Sequence, residues 1–200
     1  MRELRPHETW WQKASDNFLR NRASQHENPS RKAIHEVVSR SGAKSVLETA
    51  CATAIDYPRY KESGHQWSGL DITEKFLARA RELHPDIDVK HGSVLEAPFA
   101  DNSFDFVYCK DLLEHLALED YKKVVSEMFR MCRIGIAIAL FIPLAEKTEY
   151  LTVKRRWPRR IFDRRIYYKN TYGREELLGV LSKLGRVEEI QKDAIYAVWK

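Results

Sequence analysis

Residues 44–54 read Lys44-Ser45-Val46-Leu47-Glu48-Thr49-Ala50-Cys51-Ala52-Thr53-Ala54. A short strand over Lys44–Thr49 runs into a turn in which alanine alternates with Cys51 and Thr53. A strand closing on a turn of small residues, with a helical pattern after it, opens a β–α unit. Units of this kind recur downstream. A helix over Ile55–Glu62 ends near Gly64, and a second strand covers Trp67–Asp71. Thr73 caps a helix to about Leu83, with Pro85 beyond its end, and Ile87–His91 is a third strand. Phe104–Cys109 is a fourth, rich in aromatic and β-branched residues. Glu119–Arg133 is an amphipathic helix with Tyr121, Val124, Val125, Met128, Phe129 and Cys132 on its apolar side. Ile134–Ile142 is apolar on both faces, as a central parallel strand must be. A helix over Gly173–Leu184 and two strands, Val187–Gln191 and Ala194–Trp199, complete the chain.

Upstream lie two helices. Glu8–Arg22 carries Trp10, Trp11, Ala14, Phe18 and Leu19 at helical spacing. The next begins at a Ser30 cap, turns Ala33, Ile34, Val37 and Val38 inward, and ends at Ser41-Gly42. The alternation predicts an α/β fold, a three-layer sandwich. Its core is a mostly parallel, seven-stranded, doubly wound sheet with an antiparallel terminal hairpin and a helical N-terminal cap. Ligands in such sheets bind beyond the carboxyl ends of the strands, so the loops after the first four strands carry the chemistry.

Composition narrows the classes. The chain has 200 residues, 44% hydrophobic and 32% charged, which excludes disorder and low complexity. Its longest uncharged run, Ile134–Ala145, falls short of the roughly 20 residues of a membrane span. Met1–Glu8 has no apolar core of a secretory signal. Cys51, Cys109 and Cys132 form no C-x-x-C pair, which argues against a disulfide framework or structural zinc and for a cytoplasmic setting. The net charge is +5 but is concentrated in residues 154–165. There seven cations meet only Asp163, so the rest of the chain is close to neutral.

The loops carry a pattern. Glu48 precedes Ala50-Cys51-Ala52-Thr53-Ala54; Gly69-Leu70-Asp71-Ile72 ends the second strand; and His91-Gly92-Ser93-Val94 ends the third. Pro98-Phe99-Ala100-Asp101-Asn102-Ser103-Phe104-Asp105-Phe106-Val107 leads into Leu113-Glu114-His115-Leu116. Residues 44–142 thereby resemble the class I S-adenosylmethionine-dependent methyltransferases, a Rossmann-like family. The resemblance implies S-adenosyl-L-methionine as cofactor and S-adenosyl-L-homocysteine as product. It implies Asp71 on the ribose diol, Ile72 against the adenine, and Ser93 and Val94 at the adenine edge. Glu48 would order the turn of Ala50, Cys51 and Ala52 beside the methionine part, and the Cys109 carbonyl, ending the fourth strand beside Lys110, would hold its amino group. The family's G-x-G-x-G is A-x-A-x-A here, and its usual Asp is Ser93. A nicotinamide dehydrogenase is disfavoured because G-x-G-x-x-G is absent.

The expected organisation is one methyltransferase domain over 1–200. It comprises a helical cap (1–41), a cofactor-binding core (44–142), a basic acceptor-side lid (143–172), and the last helix with its hairpin (173–200). His115, with Asp111 and Glu114, supplies the candidate base for a hydroxyl or amine acceptor. The alternative is a capping box with Asp111 as the cap and His115 as an ordinary first-turn residue. Asp111-x-x-Glu114-His115 is also similar to the E-x-x-E-H metal pattern of small-RNA 2′-O-methyltransferases and some quinone O-methyltransferases; the RNA enzymes need a further downstream histidine, none follows 115, and no metal is expected. Trp11, Arg155, Arg156, Arg159, Arg160, Tyr168 and Tyr172 are acceptor-side candidates. Arginine suits bidentate grip on phosphate or carboxylate, which points to an anionic acceptor such as a phosphorylated or nucleotide-linked sugar, a glycan or a lipid intermediate. Interleaved arginines and aromatics also suit peripheral contact with an anionic membrane. Nucleic acid is disfavoured, because there is no room for a separate target-recognition domain. The rival function is a non-catalytic binding module that uses the arginine segment as an interface.

Overall fold

A computed structural model describes residues 9–12, 28–154 and 166–200. Helix α1 spans Pro29–Arg40. Its cap is Asn28 rather than Ser30: the Asn28 side chain accepts from the Ser30 amide at 2.9 Å, and Pro29 occupies the first helical position, where no amide is needed. Strand β1 (Ser45–Thr49) leads to α2 (Tyr57–Glu62), β2 (Gln66–Asp71), α3 (Glu74–Leu83) and β3 (Asp88–His91). Then come β4 (Phe104–Lys110), α4 (Asp120–Met131) and β5 (Cys132–Ala139). A small hairpin of β6 (Thr152–Lys154) and β7 (Ile166–Tyr168) lies apart from the main sheet. Helix α5 (Arg174–Leu181) and strands β8 (Arg186–Gln191) and β9 (Ile195–Trp199) end the fold. The expected helix over residues 8–22 lies outside the described residues, apart from 9–12, which are helical.

The sheet order is β3-β2-β1-β4-β5-β9-β8. Strands β1 to β5 run parallel, and β9 pairs antiparallel with both β5 and β8. Strand order reverses between β1 and β4, which places the crevice of a doubly wound sheet there. Alternation along the central strands fills two cores. Leu47, Val107, Cys109, Ile136 and Ile138 pack with α4 and α5 on one face. Val46, Phe106, Tyr108, Ala137 and Ala139 pack with α1, α2 and α3 on the other. All three cysteines are free and buried, as small hydrophobes should be.

Two local departures follow from side-chain chemistry. Strand β5 stops at Ala139 because Glu114 takes over the amides beyond it, accepting from Phe141 and from Ile142. The hairpin β6–β7 was not expected, because the charge of the intervening segment masks its short flanking strands.

Candidate functional site

The loops after β1, β2, β3 and β4 enclose a cavity of about 300 Å³. That is at the lower end of the range for small-molecule sites, about 300 to 1,000 Å³. Of the residues expected to meet a cofactor, Glu48, Ala50, Cys51, Ala52, Asp71, Ile72, Ser93, Val94 and Lys110 all line it. Cys109 does not; it is fully buried behind the wall, next in β4 to Lys110.

The A-x-A-x-A turn is strained. Ala50, Ala52 and Ala54 have φ of 58°, 48° and 54°. A Cβ in this left-handed region costs roughly 1–2 kcal/mol per residue, which glycine avoids. The turn is held by specific bonds. The Cys51 amide donates to the Leu70 carbonyl at 3.1 Å and the Ala54 amide to the Cys51 carbonyl at 2.9 Å. The Ala52 amide donates to Asp71 Oδ2 at 2.8 Å. The other oxygen of Asp71 accepts from the Thr73 amide at 2.7 Å. Asp71 is thus 7% exposed and fixed across two loops, and burial raises its pKa above the ordinary carboxylate value. Gly69 makes room for the turn: a Cβ there would lie 2.7 Å from Cys51 Sγ and 2.6 Å from Trp67 Cη2.

Glu48 faces a buried polar cluster and makes no bond to the turn it was expected to order. Its Oε2 accepts from Tyr108 Oη at 2.9 Å, and Oε1 is 3.6 Å from the Arg31 guanidinium. Arg31 Nη1 donates to Asp56 at 2.7 Å. One guanidinium therefore serves two buried carboxylates. Burial and the neighbouring Asp56 push Glu48 up to about 8. Arg31 was missed in the sequence. Its signal was position: Arg31, Ile34 and Val38 share one helical stripe, and α1 buries all three.

At the other end of the cavity stands His115, in a turn over Leu113–His115. Its Nδ1 is 3.1 Å from the Tyr168 carbonyl oxygen. A carbonyl only accepts, so Nδ1 carries the hydrogen and Nε2 the basic lone pair. Burial lowers the ring's pKa below its ordinary value, which keeps it neutral. Trp11 meets His115 edge-on, with ring centroids 5.1 Å apart, and also lines the cavity. The neighbouring Gln12 donates to the Ile72 carbonyl at 2.5 Å. Residues 9–12 thus touch both ends of the cavity. Leu112, Leu116 and Phe141, also missed, give the His115 end an apolar wall; Phe141 is 67% exposed.

The capping-box reading does not hold. Asp111 has φ of 54°, pairs with Lys110 and lines the cavity; the cap of the turn is Leu112, with no side-chain bond. Glu114 is buried against the Phe141 and Ile142 amides and does not line the cavity, so it is no base for a ligand there. Burial raises it to about 7. Tyr172 is corrected likewise: it is buried in the core, donates to the Leu113 carbonyl at 2.5 Å and packs on Tyr121. Tyr168 reaches the site through its carbonyl. Arg155, Arg156, Arg159 and Arg160 lie outside the described residues.

Residues 46–135 match the family model of a methyltransferase domain. That match spans a little under half of the chain and marks these residues as similar to methyltransferase domains. A protein of Mycolicibacterium smegmatis, named a probable S-adenosylmethionine-dependent methyltransferase, is 34% identical over 106 residues, 50% of this chain and 40% of its own length. The chain therefore matches well under half of that relative. Among solved structures, a complex of DhpI with S-adenosylhomocysteine superposes with a TM-score of 0.68 at 17% identity, over 98% of this chain and 95% of that one. The sugar N-methyltransferase KedS8 of a Streptoalloteichus species superposes with a TM-score of 0.68 at 16% identity, over 92% of each chain. At these identities the structures share the methyltransferase fold. No helix among the described residues is long and apolar enough to cross a membrane.

Proposed function

We propose that the chain is an S-adenosylmethionine-dependent methyltransferase that acts on an oxygen or nitrogen of a small acceptor, with His115 as the base. The observation that carries this reading is one cavity bearing Asp71 at the end of β2 and a neutral His115 beyond β4. The donor set fits the cofactor. Asp71 accepts from the Ala52 and Thr73 amides and from the Thr73 side chain, and its carboxylate has acceptor capacity beyond these bonds for a ribose hydroxyl. Ile72, Phe76, Val94 and Leu95 offer apolar surface for a purine, and Ser93 a polar edge. Arg31 and Lys110 provide positive charge and Asp111 negative charge for an amino-acid end.

The bound cofactor supplies an electrophilic methyl group. The chain's residues hold the two reactants in line and exclude water, which lowers the barrier by about 7–11 kcal/mol when alignment is good. His115 Nε2 takes the acceptor proton, and the Nδ1–H···O=C bond to Tyr168 steadies the ring as it becomes cationic. Trp11, Leu112, Leu116 and Phe141 shield this end from water.

Phosphorylated or nucleotide-linked sugars, glycans and lipid phosphates remain the acceptor classes supported by the arginines of residues 155–165, which join β6 to β7 in the sequence. The likeness in fold to a sugar N-methyltransferase is compatible with them. Titration calorimetry with S-adenosylmethionine and S-adenosylhomocysteine is the first test, followed by release of S-adenosylhomocysteine against a panel of anionic sugars and lipids. Binding without release on any acceptor favours the non-catalytic module; no binding overturns the proposal.

A further inference from the structure

We infer that the acceptor carries an apolar chain: its reacting head enters beside His115, and the chain leaves the cavity across a rim formed by Leu118, Phe141 and Leu151. The inference rests on the methyltransferase reading above and selects, among its acceptor classes, those with a lipid chain. Among the described residues, these three are the large hydrophobic side chains left exposed, at 57%, 67% and 54%. Scattered exposed leucines need no explanation, but apolar side chains gathered at one site mark a place where something binds. All three border the His115 end. Phe141 lines the cavity itself, and Leu118 lies two residues beyond Leu116, which also lines it. The Leu151 carbonyl accepts from the Lys169 amide at 3.0 Å, and the preceding residue, Tyr168, meets His115 through its own carbonyl.

The rim is pinned from beneath. Glu114 accepts from the Phe141 amide through its side chain and from the Asn170 amide, at 2.8 Å, through its carbonyl. Asn170 Nδ2 in turn donates to the Leu116 carbonyl at 2.7 Å. The segments that carry the three apolar side chains are therefore set before a ligand arrives, which lowers the cost of binding. Leu118 also has φ of 40°, in the left-handed region. That conformation falls elsewhere to Asn102 and Asp193, residue types that tolerate it. A leucine here is unfavourable both for its exposure and for its backbone, and strain of this kind is kept where a side chain is used. The occupant follows from volume and polarity. About 300 Å³ is small for a ligand site, so with the cofactor in place only the head of an acceptor fits inside and the remainder crosses the rim. A sugar or nucleotide would lose water against Leu118, Phe141 and Leu151 and gain no hydrogen bond from their side chains. A hydrocarbon chain gains at each contact. The exposed Lys169 does not oppose it, because a lysine stem lies along apolar surface with its ammonium in water.

The test is calorimetry of the full chain, saturated with S-adenosylhomocysteine, against 4-methylphenol, 4-butylphenol and 4-octylphenol, whose hydroxyl suits the His115 end. Affinity should rise at least about tenfold from butyl to octyl, since full burial is worth up to about fourfold per methylene. Leu118→Asn combined with Leu151→Ser should reduce that rise to within about twofold and leave the affinities for 4-methylphenol and S-adenosylhomocysteine unchanged. Asparagine accepts the left-handed conformation, so Leu118→Asn alone should match or exceed the wild-type Tm, and a lost preference then does not come from unfolding. A wild type that binds S-adenosylhomocysteine but gains nothing with chain length, or binds none of the phenols, overturns the inference. So does a double variant that keeps the full gain. So does one altered only in co-sedimentation with phosphatidylcholine–phosphatidylglycerol vesicles or in self-association, which would give the rim to a membrane or to a second copy. A wild type that fails to bind S-adenosylhomocysteine overturns the cofactor reading itself, and this inference with it.

Discussion

His115 Nδ1 and the Tyr168 carbonyl oxygen lie 3.1 Å apart, so β7 sets the tautomer of a histidine in the loop after β4. The hydrogen on Nδ1 leaves the basic lone pair on Nε2. Burial favours the neutral ring and moves its pKa down from the ordinary value of about 6.5. A base of lowered pKa is active above that pKa and lost as pH falls through it. With an acceptor in hand, kcat/KM should be flat from pH 7 upward and fall on an acid limb whose midpoint lies below about 6.5. His115→Gln should lower kcat by about 10²–10⁴-fold and remove the limb, with S-adenosylhomocysteine affinity unchanged. A limb that survives in His115→Gln assigns the proton transfer to another group.

The three left-handed alanines give a stability prediction. Ala52 has φ of 48°, and its amide, which glycine would keep, bonds Asp71. Removing the Cβ relieves local strain and exceeds the entropy that glycine adds to the unfolded chain. Ala52→Gly should stabilise the domain by about 1 kcal/mol, or about 2–4 °C in Tm for a chain of this size. Ala50→Gly should act in the same direction. Differential scanning calorimetry decides; a lower Tm in both variants would mean that the turn relaxes out of the left-handed region in solution.

Much of this architecture was legible because the central strands advertise themselves. Ile134–Ile142 is apolar on both faces, and Asp71 and His115 fall at strand ends where a doubly wound sheet gathers its ligands. Legibility failed where a side chain acts at long range. Glu114 looked like the partner of Asp111, three residues away, but its bonds go to the amides of Phe141 and Ile142, just beyond the end of β5. Local spacing cannot reveal a contact of that separation. Tyr172 looked like a site aromatic, yet its hydroxyl finds the Leu113 carbonyl inside the core. Arg31 stood outside every motif, and only its place on a buried stripe marked it.

Glu48 makes stability depend on pH. Its carboxyl is buried beside Asp56 and pushed up to about 8, against an unfolded value of about 4.3. Between these values the folded state holds the extra proton, so stability falls as pH rises through this window. Glu48→Gln retains an oxygen for the Tyr108 hydroxyl and removes the titration. Urea unfolding at pH 5, 6.5 and 8 should show the wild type losing stability with pH relative to Glu48→Gln, with the largest gap at pH 8. Parallel pH profiles for the two proteins would mean that Arg31 keeps Glu48 ionised throughout.

Asp71 joins structure and binding in one carboxylate. Its two oxygens hold the Ala52 and Thr73 amides, and these bonds tie the turn after β1 to the start of α3. Asn cannot accept at both positions, because its amide nitrogen would face one backbone N–H. Asp71→Asn should therefore destabilise the domain by about 1–3 kcal/mol, the scale of one buried donor left unpaired. Asp71→Ala should do at least as much, and should also remove the acceptor capacity offered to a ribose hydroxyl. Thermal unfolding reads the first effect and calorimetry with S-adenosylhomocysteine the second. The expected pattern is a folded Asp71→Ala variant, several degrees less stable, with binding lost. Wild-type affinity in a folded Asp71→Ala variant would show that Asp71 serves the turn alone, and the ribose contact would have to come from elsewhere on the cavity wall.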